Sequence, residues 1–379
     1  MSMKKLFAAL LISVFAFAGT AIADDDTIKL GVYLPLTGQN AFGGQLELDG
    51  VKLAHAERST VLGKKVELIV VDNKSDKVEA ANAVKRLTAK DNVLGIIGTY
   101  GSSLAMAGGE VAELAKTSVI GTSCTNPLVT SGKQYYFRAC FIDPYQGAGA
   151  ATYAAKNLGF KKAAILKDVS NDYAVGLAKF FQGSFKKQGG EIVSNLNYNS
   201  GDQDFTPQLT QIISQKPEVL FIPAYFAEGA IIMKQARELG ATFRIMGGDA
   251  MDNPDVVNIG GNAVEGFIIT AFPYAASMPS MNPQAKKFTE DFARQFPDKE
   301  PNMNTALGYT CYMMYMDAIE RAGKADKQAV TDALATTKDL PTVFGPLSLN
   351  KDHDAEMAIG IIEIKGGQRQ YVGEVTPDL

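Results

Sequence analysis

The sequence predicts an α/β protein with two doubly wound parallel-sheet lobes. Short apolar runs alternate with segments of helical period along most of the chain, the pattern of βαβ units. That alternation restarts after about residue 141, so two such sheets follow one another. The 379 residues suit two domains of about 100–200 residues rather than one core.

Taken in order, residues 1–23 read as a secretory leader. Lys4 and Lys5 form its basic end, residues 6–18 its apolar core, and Ala21-Ile22-Ala23 a small-residue cleavage site. A strand follows at 28–34, then a turn at Pro35-Leu36-Thr37-Gly38 and a loop at 39–44 that carries an exposed Phe42. A helix at about 45–58 places Leu46, Gly50, Leu53 and Ala54 on one face. Residues 66–72 form a strand and 77–90 a helix, with Val78, Ala81, Val84 and Leu87 at helical spacing.

Next come a strand ending at Gly98, a helix at 103–116 and a strand ending near Thr122. After a strand at 135–141, the second sheet is built from strands at 162–166, 191–198, 219–223, 243–247 and 264–272. Helices at 144–158, 173–188, 205–214 and 228–239 alternate with them. Three helices at 284–296, 305–322 and 327–336 lack intervening strands, so they return to cover a sheet already built. A strand at 347–349 and a hairpin at 358–375, turning at Gly366-Gly367, end the chain.

Composition narrows the function. With 46% hydrophobic and 21% charged residues, extended disorder is not expected. The net charge is −4, and loss of Lys4 and Lys5 with the leader makes it two units more negative. A mildly acidic chain without a basic stripe does not suit nucleic acid or anionic lipid. The two histidines, His55 and His353, stand apart, and no cysteine spacing fits zinc, so no metal or cofactor is expected. Nucleotide-binding glycine loops and a G-x-S-x-G elbow are missing too, which leaves an enzyme without recognisable parts. Of the three cysteines, Cys311 sits in an apolar helix and reads as a buried thiol. Cys124 and Cys140 are near enough in sequence to close a small disulfide loop, or to remain two thiols.

The chain is organised around residues 95–127. Two short apolar strands each end in glycine and small hydroxyl residues, the pattern of strand ends that open into a ligand crevice. Ser102 and Ser103 begin a helix, where hydroxyls and free backbone N–H groups suit a carboxylate. The plainer reading makes Ser102 a helix cap and Thr125 a turn residue. In the second half Tyr173, Tyr225 and Asp249 each follow a strand. Together with Ser102 and Thr125 they suit a zwitterion, the hydroxyls holding its carboxylate and Asp249 its ammonium.

From residue 28 to about 375 the chain resembles the periplasmic leucine/isoleucine/valine-binding proteins of ABC transporters. The resemblance is carried by Ile28-Lys29-Leu30-Gly31, Pro35-Leu36-Thr37-Gly38, Val70-Val71-Asp72-Asn73, Gly95-Ile96-Ile97-Gly98 with Ser102-Ser103, and Thr125-Asn126-Pro127. It continues through Tyr136-Phe137-Arg138, Asp143-Pro144-Tyr145-Gln146-Gly147, Tyr173-Ala174-Val175-Gly176, Ala263-Val264-Glu265-Gly266 and Phe344-Gly345-Pro346-Leu347. It implies lobes of 24–142 with 274–346 and of 143–273 with 347–379, joined by three crossings that close like a hinge. It also implies an amino-acid ligand, branched-chain or otherwise neutral, a membrane permease as partner, a periplasmic location and a monomer. The alternative is a sensing receptor of the same fold for a different small carboxylate.

By position, the resemblance gives Ser102 and Thr125 to the ligand carboxylate. The Ser123 carbonyl and Asp249 go to its ammonium, with Asp249 standing where a longer glutamate is usual. Tyr173 and Tyr225 become aromatics of the second lobe, Phe42 a lid, and Tyr100 a wall of the pocket. The family's usual disulfide falls on Ser75 and Gly101 and is therefore absent, so a Cys124–Cys140 bridge could replace it. Asn304 falls where an aromatic often lines the side-chain pocket.

Overall fold

The computed structural model describes residues 27–378. The expected leader lies outside the described residues. The first sheet contains β1 (Thr27–Leu34), β2 (Thr60–Val61), β3 (Lys64–Asp72), β4 (Gly95–Ile97), β5 (Val119–Gly121) and β6 (Tyr136–Arg138), in the order β2-β3-β1-β4-β5-β6. Apart from the short β2 all pairings are parallel. Helices α1 (Ala41–Glu57), α2 (Lys77–Ala89) and α3 (Ser102–Leu114) connect them. Leu30, Val32, Ile96, Ile97, Val119 and Ile120 are fully buried, as expected of strands covered on both faces.

The second sheet contains β7 (Lys162–Asp168), β8 (Glu191–Tyr198), β9 (Val219–Ile222), β10 (Arg244–Gly247) and β11 (Ile268–Ala271), joined by α4 (Asp143–Thr152), α5 (Asp172–Lys187), α6 (Thr206–Ser214), α7 (Phe226–Glu238) and α8 (Asp255–Gly260). A π-helical turn, Tyr153–Asn157, continues α4. The expected long strand at 264–272 is shorter: Gly261–Val264 is a 3₁₀ turn, and only Ile268–Ala271 pairs.

Helices α9 (Pro283–Gln295), α10 (Met303–Ala322) and α11 (Lys327–Ala335) then return to the first layer. Gly50 of α1 and Gly308 of α10 allow this packing. A Cβ at Gly50 would stand 1.9 Å from the Thr305 carbonyl, and one at Gly308 2.0 Å from the Glu47 carbonyl. Strands β12 (Leu340–Thr342), β13 (Gly345–Leu349) and β14 (Ala355–Glu356) form a small antiparallel sheet. The terminal hairpin, β15 (Ile359–Lys365) and β16 (Gln368–Val375), adds antiparallel to β11, so the second sheet runs β16-β15-β11-β10-β9-β7-β8. Chain segments thus alternate between two α/β lobes.

A buried ion pair ties β6 to the loop between β13 and β14. Arg138 is fully buried; its Nε donates to Asp354 Oδ1 at 2.6 Å. Its Nη1 donates to the carbonyls of Cys124 and Asn126 at 2.6 and 2.8 Å, and its Nη2 to Thr130 Oγ1 at 2.7 Å. One guanidinium therefore fixes the loop 124–130 that carries Thr125.

Candidate ligand site between the lobes

The site lies at the carboxyl ends of both parallel sheets. Gly101, at φ +98°, ends the β4 loop and precedes α3, so Ser102 is the first helical residue rather than its cap. The Gly101 N–H donates to the Ser123 carbonyl at 2.8 Å. A Cβ there would stand 2.9 Å from the Tyr225 hydroxyl, which accounts for glycine at this position. Ser102 Oγ accepts from the Asn126 N–H at 3.1 Å, joining the starts of the two hydroxyl-bearing loops. Thr125 is buried, and its carbonyl accepts from Asp143 N at 2.8 Å.

From the other lobe, Asp249 begins a 3₁₀ turn after β10. Tyr173 Oη donates to Asp249 Oδ1 at 2.9 Å, and Ser123 Oγ, from the first lobe, donates to Asp249 Oδ2 at 3.2 Å. Burial raises the Asp249 pKa above its ordinary value, and the surrounding hydrogen bonds only partly offset this. Tyr225 packs between Tyr100 and Tyr173, with ring centroids 5.5 and 5.8 Å apart. Ser102, Ser123, Thr125, Tyr173, Tyr225, Asp249 and Tyr100 are thus brought together and buried.

Phe42 departs from expectation. It lies in the first turn of α1, not in a loop, and is half-buried against Phe226 of α7 at 5.5 Å. Asp72 pins the turn that precedes the helix. Its carboxylate accepts from the N–H groups of Leu36 and Thr37 and from Thr37 Oγ1.

The Cys124–Cys140 bridge is also corrected: both are free buried thiols, as is Cys311. The Cys140 thiol is in hydrogen-bond contact with Cys124, and burial pushes its pKa well up. At the usual bridge positions, Ser75 Oγ accepts from Asn40 N at 3.0 Å and donates to the Thr37 carbonyl at 2.8 Å.

Three further residues shape the site. Glu47 of α1 is fully buried, accepting from Thr122 Oγ1 at 2.6 Å and from the Ser123 N–H at 3.1 Å. Burial pushes its pKa well up. Asp143, the first residue of α4, is likewise raised by burial and sits beside Thr125. Asp172 joins the lobes: Ser103 Oγ donates to its carboxylate at 2.8 Å, Lys77 Nζ at 3.2 Å, and Asn126 Nδ2 to its carbonyl at 2.9 Å. The sequence signals for them are weak. Glu47 reads as one polar position on a helix, and Asp143 as an acidic residue in the first helical turn.

The family model for periplasmic binding proteins matches residues 27–369. The chain belongs to the periplasmic binding protein family. This family member is similar to the Leu/Ile/Val-binding protein BraC3 of Rhizobium johnstonii, 31% identical over 93% of this chain and 95% of that protein. Among solved structures, the leucine-binding protein LivK of Thermotoga maritima is 40% identical, with a TM-score of 0.89 over 93% of this chain and 99% of that one. LivJ of Streptococcus pneumoniae, a branched-chain amino acid transporter substrate-binding protein in complex with isoleucine, is 28% identical. Its TM-score is 0.85, over 92% of this chain and 99% of that one. This periplasmic binding protein shares the two-lobe α/β fold of these relatives and is a solute-binding receptor.

Proposed function

We propose that this receptor captures an α-amino acid between its lobes, in the periplasm, and delivers it to the membrane permease of an ABC importer without chemical change. The observation that carries the reading is the Asp249 carboxylate, buried against Tyr173 of its own lobe and Ser123 of the other. An ammonium has three N–H donors, and Asp249 with the Ser123 carbonyl supplies acceptors for them. Ser102, Thr125 and the N–H groups opening α3 are the matching carboxylate site.

The lobes in this reading are 24–142 with 274–346 and 143–273 with 347–379, preceded by a cleaved leader at 1–23, and the receptor acts as a monomer. Phe42–Phe226, Ser103–Asp172 and Gln39–Glu228 join the lobes around the site, so closure presents both lobe surfaces in one fixed relation to the permease.

A thermal-shift screen of the mature protein against amino acids and small aromatic and aliphatic acids tests the reading. A ligand at 100 times its Kd stabilises the folded state by about 2.7 kcal/mol. Stabilisation by α-amino acids supports it. Stabilisation only by acids lacking an ammonium favours the alternative, a receptor for another small carboxylate.

A further inference from the structure

Two buried acceptors near the amino-acid site have no partner. Asn304 is 2% exposed and Asp252 1% exposed, and neither Asn304 Oδ1 nor Asp252 Oδ2 has a hydrogen-bond partner. Buried polar atoms are nearly always satisfied, so each such atom asks for a donor.

Both belong to one contact between the lobes. Asp252 closes the 3₁₀ turn that begins at Asp249, its N–H donating to the Asp249 carbonyl at 2.9 Å. Its carbonyl accepts from Asn302 Nδ2 of the first lobe at 3.2 Å. Asn302 caps α10 and in turn accepts from the Asn304 N–H at 2.9 Å. Asp252 is thus linked directly to Asp249, and through Asn302 to Asn304.

We propose that Asn304 and Asp252 form a polar side-chain subsite, and that the ligand is an α-amino acid whose side chain carries a neutral hydrogen-bond donor, an amide or a hydroxyl. This deepens the amino-acid reading above and rests on it. A cationic side chain fits less well because the Asp252 charge is already met. Arg369 Nε donates to Asp252 Oδ1 at 2.7 Å, and both side chains are almost wholly buried. What remains is one carboxylate oxygen and one amide oxygen. A purely aliphatic side chain would leave both unpaired, a penalty that binding to it must carry.

Calorimetric titration of the wild-type mature protein, stripped of bound ligand by unfolding and refolding, tests the inference. The titrants are two near-isosteric pairs, asparagine with leucine and threonine with valine. The expected result is that the polar member binds roughly ten- to a hundredfold more tightly in at least one pair. Asn304→Leu then narrows or reverses that preference. Leucine and valine binding as tightly as their polar partners, or more tightly, overturns the subsite and leaves the amino-acid reading standing. If no α-amino acid binds, both fall together, a pattern distinct from an aliphatic preference.

Discussion

The Tyr173 hydroxyl donates to Asp249 Oδ1 at 2.9 Å, so the carboxylate that meets the first lobe is oriented by its own lobe. Tyr173→Phe removes that bond while keeping the ring against Tyr225. A hydrogen bond to a charged group contributes about 1.5–3 kcal/mol. Amino-acid affinity should therefore fall by up to roughly 10- to 150-fold, and the free protein should also lose some stability. A calorimetric loss below threefold would remove Tyr173 from the site.

Binding should depend on pH through Asp249. Burial holds its pKa above the ordinary 3.8 in the free protein. Below that raised value the carboxyl is protonated, and an ammonium must displace the proton. Affinity then falls about tenfold per pH unit as pH drops, and is flat above it. The free protein behaves in the opposite sense: a raised acid in the folded state loses stability as pH climbs from the unfolded to the folded pKa. Calorimetry in buffers of different ionisation heat should register proton release at low pH in wild type, and none in Asp249→Asn.

Arg138→Met should destabilise the protein and, by loosening the loop that carries Thr125, also weaken ligand binding. The substitution leaves Asp354 buried and unpaired, and strips donors from the carbonyls of Cys124 and Asn126. Breaking a buried pair on one side costs about 3–5 kcal/mol. Urea denaturation should show that loss; a change under 1 kcal/mol would mean that solvent or a neighbour replaces the guanidinium.

Asp172→Ala should weaken ligand binding only modestly. Its contacts with Ser103, Lys77 and Asn126 join the lobes, and the carboxylate is half exposed. Such contacts contribute about 0.2–1 kcal/mol, so affinity should fall no more than about fivefold, through the closing equilibrium. Small-angle scattering of the free variant should show a more open average shape.

Much of this was legible in the sequence, for identifiable reasons. Buried parallel strands are continuous apolar runs, so β1, β4, β5 and β9 stand out, and their glycine-hydroxyl ends mark the crevice. Asp249 and Tyr173 were legible because each follows a strand. Phe42 was misplaced because its helix begins at Ala41, three residues before the Gly43-Gly44 pair has ended, and two early glycines hide that start. Glu47 was missed because its partners, Thr122 and Ser123, follow β5, distant in sequence, and no local pattern signals them. The state of Cys124 and Cys140 was not legible either, since sequence proximity leaves pairing open.

The most direct test of the central claim is titration of the ligand-stripped protein with an α-amino acid and with the carboxylic acid that differs from it only by lacking the α-ammonium. The account predicts one site per chain and affinity at least about a hundredfold higher for the amino acid, a difference abolished in Asp249→Asn. Equal binding of the two, or binding of the deaminated acid alone, would contradict an amino-acid site built on Asp249.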